Sequence, residues 1–307
     1  MSIRNKLKEK APWIIPAFDI LKESYSAIEI PFLISLNKKG RVIGICPNGI
    51  GEITFNWVFA RSFMNRIGVS KIYFLIGDNR KECGVALGDE DIHYYYVPFK
   101  KYRRICAFCL SKAGQKLINR LNNIYFFDSW DKQNNKGNNF FETERRLMSL
   151  LPDEFPNYRL SYISNNKAQV KKRILINPYA RTVNSINLAI YEDIVHKLNS
   201  AGLDCYTFVH SGQSPINGSK ELNVTLKESL IIANQSFGVI GTRSGFMDLM
   251  SILDTKIICL YPDDSTYNKY FSFQNCPWNR KIVEIFCNKI TNVDDVCNHF
   301  LSTMNNQ

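Results

Sequence analysis

The chain is 307 residues long, 45% hydrophobic, 22% charged and 13% aromatic, which excludes disordered and fibrous classes and leaves room for two domains of about 150 residues each. Lys and Arg outnumber Asp and Glu by 39 to 28, a net charge of +11, so the partners to expect are anionic: a nucleotide, a phosphorylated glycolipid, a membrane surface or nucleic acid. Nine cysteines, an odd number spread through strand-like and helix-like segments, are expected as reduced thiols in a cytosolic protein.

The first 18 residues are basic, but Pro12 and Pro16 interrupt their apolar run, and no stretch reaches the roughly 18 apolar residues that a bilayer span needs. Neither a classical secretion signal nor an integral membrane segment is expected. Residues 1–40 read as a preamble, ambiguous between helix and strand from Phe18 to Ile34. Regular order is expected from Arg41–Cys46, RVIGIC, a strand followed by Pro47, Asn48, Gly49, Ile50, Gly51 and Glu52. The apolar positions Ile53, Trp57, Val58, Ala60, Phe63, Met64 and Ile67 then predict a helix that Gly68 ends.

Strands are predicted at Lys71–Ile76, Asp91–Pro98 and Ile124–Trp130, and helices at Ile105–Leu121 and Phe140–Leu151. Strands alternating with helices predict a parallel, doubly wound sheet. Between the second strand and its helix lies FKKYRR, Phe99–Arg104, which reads as a solvated loop or as a surface that meets anionic lipid. Cys106 and Cys109 form a lone CxxC; with no second pair or His at zinc spacing, a structural role is expected and no metal site is assigned.

Pro152–Val170, rich in Pro, Asn and Ser, reads as the domain junction, dividing the chain into 1–163 and 164–307. A second series follows: strand Arg173–Asn177, helix Ser185–Leu198, strand Asp204–His210, helix Leu226–Ala233, strand Ile282–Phe286 and helix Val293–Met304. Within this series Phe237–Pro262, FGVIGTRSGFMDLMSILDTKIICLYP, predicts a strand, a Gly241–Gly245 turn, a buried helix and a strand. The turn would leave the amides of Ser244, Gly245 and Phe246 unpaired at a helix N-terminus, beside the hydroxyls of Thr242 and Ser244 and the guanidinium of Arg243, chemistry suited to a phosphate or carboxylate. The same residues also fit a capped helix with Ser244 as N-cap and Gly245 for close packing.

Three blocks, in order and across most of the chain, resemble glycosyltransferase family 9, the heptosyltransferases of lipopolysaccharide synthesis. Ile174–Arg181, ILINPYAR, is similar to the family's apolar strand followed by His-Pro-Gly-Ala, with Asn177 for the His and Tyr179 for the Gly. Leu226–Pro262 is similar to its second signature, with Arg243 where an Asp is usual and Asp248 in place of a His. GIGEI, Gly49–Ile53, is similar to the loop that opens the acceptor domain, with Glu52 for the family's catalytic Asp. The resemblance implies an α/β GT-B fold: two Rossmann-like, doubly wound parallel-sheet domains facing a cleft, the first binding acceptor and the second a nucleotide-sugar.

It further implies a cytoplasmic glycosyltransferase, peripheral at the inner face of the membrane, that moves a sugar from a nucleotide-sugar to a glycan or glycolipid acceptor in surface polysaccharide or lipopolysaccharide assembly. The reaction would be inverting and metal-independent, with no cofactor. Glu52 would be the catalytic base, with Asn48, Gly49 and Gly51 forming the acceptor loop; the other reading of Glu52 is a first-turn acid complementing the helix dipole. Thr242, Arg243, Ser244, Gly245, Phe246 and Arg181 would hold the donor phosphates, and Asn177, Tyr179 and Asp248 would line the donor site, Asp248 either accepting from a donor hydroxyl or facing solvent. An anionic membrane surface is a further partner and nucleic acid is not expected. Two other readings remain: a nucleotide-sugar epimerase or hydrolase of the same fold, and a non-catalytic binder of polyanions.

Overall fold

The computed structural model describes residues 27–46, 49–127, 140–148, 158, 160–163, 170–180, 185–210, 212–265, 270–276, 278, 281–287 and 293–304. The first half carries helix α1 (Ile30–Lys38), β1 (Ile43–Ile45), α2 (Ile50–Ile67), β2 (Ile72–Gly77), α3 (Lys81–Leu87), β3 (Ile92–Val97), α4 (Phe99–Cys109), α5 (Lys112–Ile118), β4 (Ile124–Phe126) and α6 (Phe140–Leu147). The second half carries β5 (Lys171–Asn177), α7 (Leu188–Ser200), β6 (Asp204–Phe208), β7 (Lys220–Leu222), α8 (Leu226–Asn234), β8 (Ser236–Thr242), α9 (Gly245–Met250), β9 (Ile257–Tyr261), β10 (Ile282–Phe286) and α10 (Val293–Met304).

The strands form two sheets, ordered β3-β2-β1-β4 and β10-β9-β8-β5-β6-β7, and every pairing between neighbours is parallel. Renumbered within its own half, the second order is the doubly wound 3-2-1-4-5-6 arrangement, and the first is its four-strand portion. In such sheets the strand order reverses at one point, here between β1 and β4 and between β5 and β8, and ligands bind beyond the carboxyl ends of the strands at that reversal. The loop before α2 follows β1, the Asn177 loop follows β5, and the Thr242–Gly245 turn follows β8. All three sequence blocks therefore lie at the two reversals.

Helix α2 joins the halves. Gly49 is its N-cap, and Gly68 ends it in the left-handed conformation at φ 70°, a geometry that glycine adopts without the Cβ penalty. A helix on a domain surface buries one stripe, yet every residue from Gly51 to Ala60 is buried. The reason is that α2 is covered on both sides. Phe63 packs edge-on to Phe127 beneath its own sheet at 5.4 Å, and Phe55 meets Phe140 and Phe141 of α6 at 5.0 and 4.8 Å. Trp278 of the second half meets Phe55 at 5.3 Å and Phe59 at 5.8 Å. One hydrophobic core consequently runs from Val42 to Cys276 through both halves.

Several elements depart from the sequence expectation. FKKYRR is not a loop: it is the first turn and a half of α4, which begins directly after Pro98. The helix expected over Ile105–Leu121 is two helices, broken at Leu110, where Ser111 caps α5 by accepting from the amide of Gly114 at 3.0 Å. Helix α3 and strand β7 were not anticipated; each is short and carries little apolar periodicity. The loop Asp131–Asn139 and most of the junction Pro152–Val170 lie outside the described residues.

Candidate functional site

The site forms where α2 of the first half abuts α9 of the second. The two helix starts touch through glycine: a Cβ on Gly245 would lie 2.9 Å from the amide nitrogen of Gly51 and 3.0 Å from the Cβ of Ile50, and one on Gly51 would lie 2.3 Å from Oδ2 of Asp248. Cβ atoms essentially never make non-bonded contacts under 3.0 Å, so a side chain at Gly245 would push the backbone of α2 away, and one at Gly51 would have to displace the Asp248 carboxylate. The glycines read from the sequence as turn residues are thus also the contact between the domains.

Glu52 occupies the third position of α2, with Gly49 as N-cap. Its carboxylate folds back over Gly49, where an added Cβ would collide with Oε2. The side chain is buried and sits at the positive end of an 18-residue helix, whose dipole favours a carboxylate there. Asn48, the other acceptor-loop residue, lies outside the described residues.

In the second half, Asn177 ends β5 in register with Gly241 of β8. It donates through Nδ2 to Oγ of Ser244 at 3.3 Å. Ser244 stands at the N-cap position of α9, but its side chain makes no capping bond; the hydroxyl turns to Asn177 and remains partly exposed. Helix α9 has only six residues, and its leading amides have no intrahelical partner. Phe246 is buried against Phe208 at 4.8 Å, so of this residue only the backbone amide faces the turn. Thr242 is fully buried and spent: it donates to the carbonyl of Pro178 at 2.8 Å and bonds the hydroxyl of Tyr191 at 2.7 Å. Tyr179 is tethered by a 2.6 Å bond to the carbonyl of Ser214. Arg181 lies outside the described residues.

Arg243 and Asp248 are placed differently from what the sequence suggests. Arg243 is 3% exposed. Its Nε donates to the carbonyl of Phe271 at 2.8 Å and its Nη1 to the carbonyl of Ser244 at 2.9 Å. Its Nη2 pairs with Oδ1 of Asp248 at 2.6 Å, and the guanidinium lies over the ring of Phe273, 4.6 Å from its centroid. The guanidinium therefore faces inward, and Asp248 faces neither solvent nor an open donor pocket. Burial pushes the Asp248 carboxyl up to about 6 against the pull of Arg243, and the nearby charge of Glu52 adds to the rise. Burial would lower the Arg243 guanidinium, but Asp248 beside it carries the balance upward and keeps it charged.

The residues that sequence reasoning missed are those supporting Arg243. Glu284 on β10 accepts from the hydroxyl of Ser272 at 2.7 Å, from the amide of Phe273 at 2.7 Å and from the hydroxyl of Tyr261. These bonds hold Phe271–Phe273 against the guanidinium. Nothing in the stretch YFSFQN signals this, beyond its density of aromatic residues. Among the described residues, no three His, Cys, Asp or Glu side chains converge as they would around a metal ion, and no helix is long and apolar enough to cross a membrane.

No protein-family model and no curated protein matches the sequence. Solved structures do match. An E. coli ADP-heptose lipopolysaccharide heptosyltransferase II superposes with a TM-score of 0.61 at 13% identity, over 86% of this chain and 99% of that one. A family 9 glycosyltransferase from Veillonella parvula gives 0.61 at 10% identity, over 87% and 98%. The E. coli heptosyltransferase WaaC, solved with ADP, gives 0.57 at 9% identity, over 83% and 97%. With its two parallel-sheet α/β domains matched along nearly the whole length of these structures, the chain has the GT-B fold in the form seen in the family 9 heptosyltransferases.

Proposed function

We propose that the protein is a glycosyltransferase that moves a sugar from a nucleotide-sugar donor to a hydroxyl of a glycan or glycolipid acceptor, with inversion and without a metal, in the assembly of bacterial surface lipopolysaccharide or polysaccharide. The observation that carries this reading is the contact of Gly245 with Ile50 and Gly51 in the first turn of α2, the turn that carries Glu52, at the strand-order reversals of the two sheets. The carboxylate of Glu52 takes the proton of the acceptor hydroxyl as its oxygen attacks the anomeric carbon. The bond from that carbon to the phosphate oxygen breaks, and the electron pair leaves with the nucleoside phosphate. The amides of Gly245 and Phe246 and the hydroxyl of Ser244 meet the developing charge, as preorganised donors do in a site closed to water. Arg181, four positions beyond the end of β5 in the sequence, is the candidate cation, because the guanidinium of Arg243 is spent inside the protein. Asn177 and Tyr179 border the donor sugar or base. The net positive charge suits work at the inner face of the cytoplasmic membrane.

The test combines binding with turnover. The purified protein is melted with ADP-, UDP-, GDP-, CMP- and dTDP-linked sugars, since a ligand that binds only the folded state raises the melting point. One nucleotide class should raise it, Ser244→Ala should reduce that shift, and Glu52→Gln should keep the shift while donor consumption with acceptor present falls about 100-fold or more. Failure of every nucleotide to shift the melting point, or unchanged turnover in Glu52→Gln, would sink the proposal. Donor turnover at full rate without any acceptor would favour an epimerase or hydrolase instead.

A further inference from the structure

Arg243 and Asp248 stand at positions where donor contacts were expected, yet both are 3% exposed: Asp248 lies against Gly51 of α2, and Arg243 turns inward on Phe271 and Phe273 while its Nη1 holds the carbonyl of Ser244. One route is direct: Asp248 holds Arg243 with Oδ1 while Oδ2 lies against the backbone of Gly51, the second residue of α2. The other route runs through rings. The Arg243 guanidinium lies over Phe273, Phe273 packs on Phe141 at 5.5 Å, and Phe141 packs on Phe55 of α2 at 4.8 Å. The two routes meet α2 one turn apart, and Glu52 is between them. A carboxylate against the first turn of α2 also suits the positive end of that helix.

We propose that the Arg243–Asp248 ion pair is a positioning device for Glu52: it fixes the height and rotation of the first turn of α2 against the donor-side turn, and neither residue touches the donor. This rests on the reading of Glu52 as the base. A buried ion pair adds little net stability over a well-packed apolar substitute, but it pins one arrangement, because displacing either partner strands a charge. The donor turn and the base, which belong to different domains, are thereby held in one register.

Two variants test the assignment. Asp248→Asn keeps the shape and removes the charge; Arg243→Met with Asp248→Leu replaces the pair by apolar groups and keeps the fold stable. For each, amide hydrogen exchange is followed in α2 and in α7, affinity is measured for ADP, UDP and GDP alone, and kcat and donor KM are determined. Both variants should speed exchange across Ile53–Trp57 by about tenfold or more while α7 stays protected. Nucleotide affinity should change less than about threefold, and kcat should fall about tenfold or more at constant donor KM. Unchanged protection of α2 in both variants overturns the assignment, and so does a tenfold loss of nucleotide affinity with α2 still protected, which would mark a direct donor contact. If the wild-type protein binds no nucleotide, the function proposed above fails, and the exchange of α2 alone decides whether the pair positions that helix.

Discussion

Replacing Gly51 by Ala tests the contact between the domains at its tightest point. The new Cβ would lie 2.3 Å from Oδ2 of Asp248 and 3.1 Å from its Cγ, and that carboxylate cannot swing aside without losing its 2.6 Å contact with Arg243. A collision as close as 2.3 Å falls in the upper half of the range of about 1–3 kcal/mol that overpacking costs, about 2–3 kcal/mol, from which the gain of Ala over Gly in a helix, about 1 kcal/mol, is subtracted. The net loss is about 1–2 kcal/mol, a fall of about 2–3 °C in melting temperature if the chain unfolds as one unit of this size. Equilibrium urea unfolding of Gly51→Ala, Asp248→Ala and the double variant isolates the collision, because the cost of leaving Arg243 unpaired appears in both arms of the cycle and cancels. Asp248→Ala should relieve Gly51→Ala by about 1 kcal/mol or more. It should give no relief to Gly245→Ala, whose Cβ meets the backbone of Gly51 and the Cβ of Ile50 instead. A neutral Gly51→Ala, or equal relief at both glycines, would refute the packing described for α2 and α9.

Two other outcomes are expected. The Asp248 carboxyl is pushed up to about 6 by burial and by Glu52, against Arg243, from an ordinary value of about 3.9, with Cys259 and Tyr261 of β9 as the other titratable groups facing the pair. A group that holds its proton more tightly when folded favours the native state as pH falls, so between about pH 6 and pH 4 the wild type should gain up to about 3 kcal/mol relative to Asp248→Asn; the opposite slope would mean that Arg243 outweighs burial. Of the nine cysteines, seven are buried and only Cys106 and Cys287 are partly exposed, and burial pushes the Cys287 thiol up to about 11. No more than two thiols should react with a disulfide reagent in the native protein at pH 7.5, and all nine should react in denaturant; three or more fast thiols would contradict the burial of the rest.

The fold was legible wherever a short apolar run was followed by glycine and then by helical periodicity. That pattern located β1 with α2 and β8 with α9, and β10 and α10 lie where their apolar spacing predicts. It failed at FKKYRR, where charge density suggested a loop although Pro98 fixes a helix start and Tyr102 and Ile105 supply its buried face. It also failed at Leu110, where the break depends on one serine hydroxyl. The site was legible to the level of its loops but not of its atoms. Gly245 meets Gly51 in the first turn of α2, the Glu52 carboxylate folds over Gly49, and Asn177 meets Ser244, all at the strand-order reversals. Which way Arg243 points depends on Glu284, Ser272 and Phe271, residues between 28 and 41 positions away in the chain whose spacing carries no period, and only tertiary packing brings them together.

The all-round burial of α2 bears on how the molecule could change over time. In a chain whose halves met only across solvent, either half could be exchanged for another with a different specificity. Here the same helix presents Phe63 to its own sheet and Phe55 and Phe59 to Trp278 of the other half. An incoming second half would have to match that aromatic surface as well as the glycine contact at Gly51. Change at the candidate site is therefore easier to reach by substitution in the loops at the strand-order reversals than by recombination of whole domains.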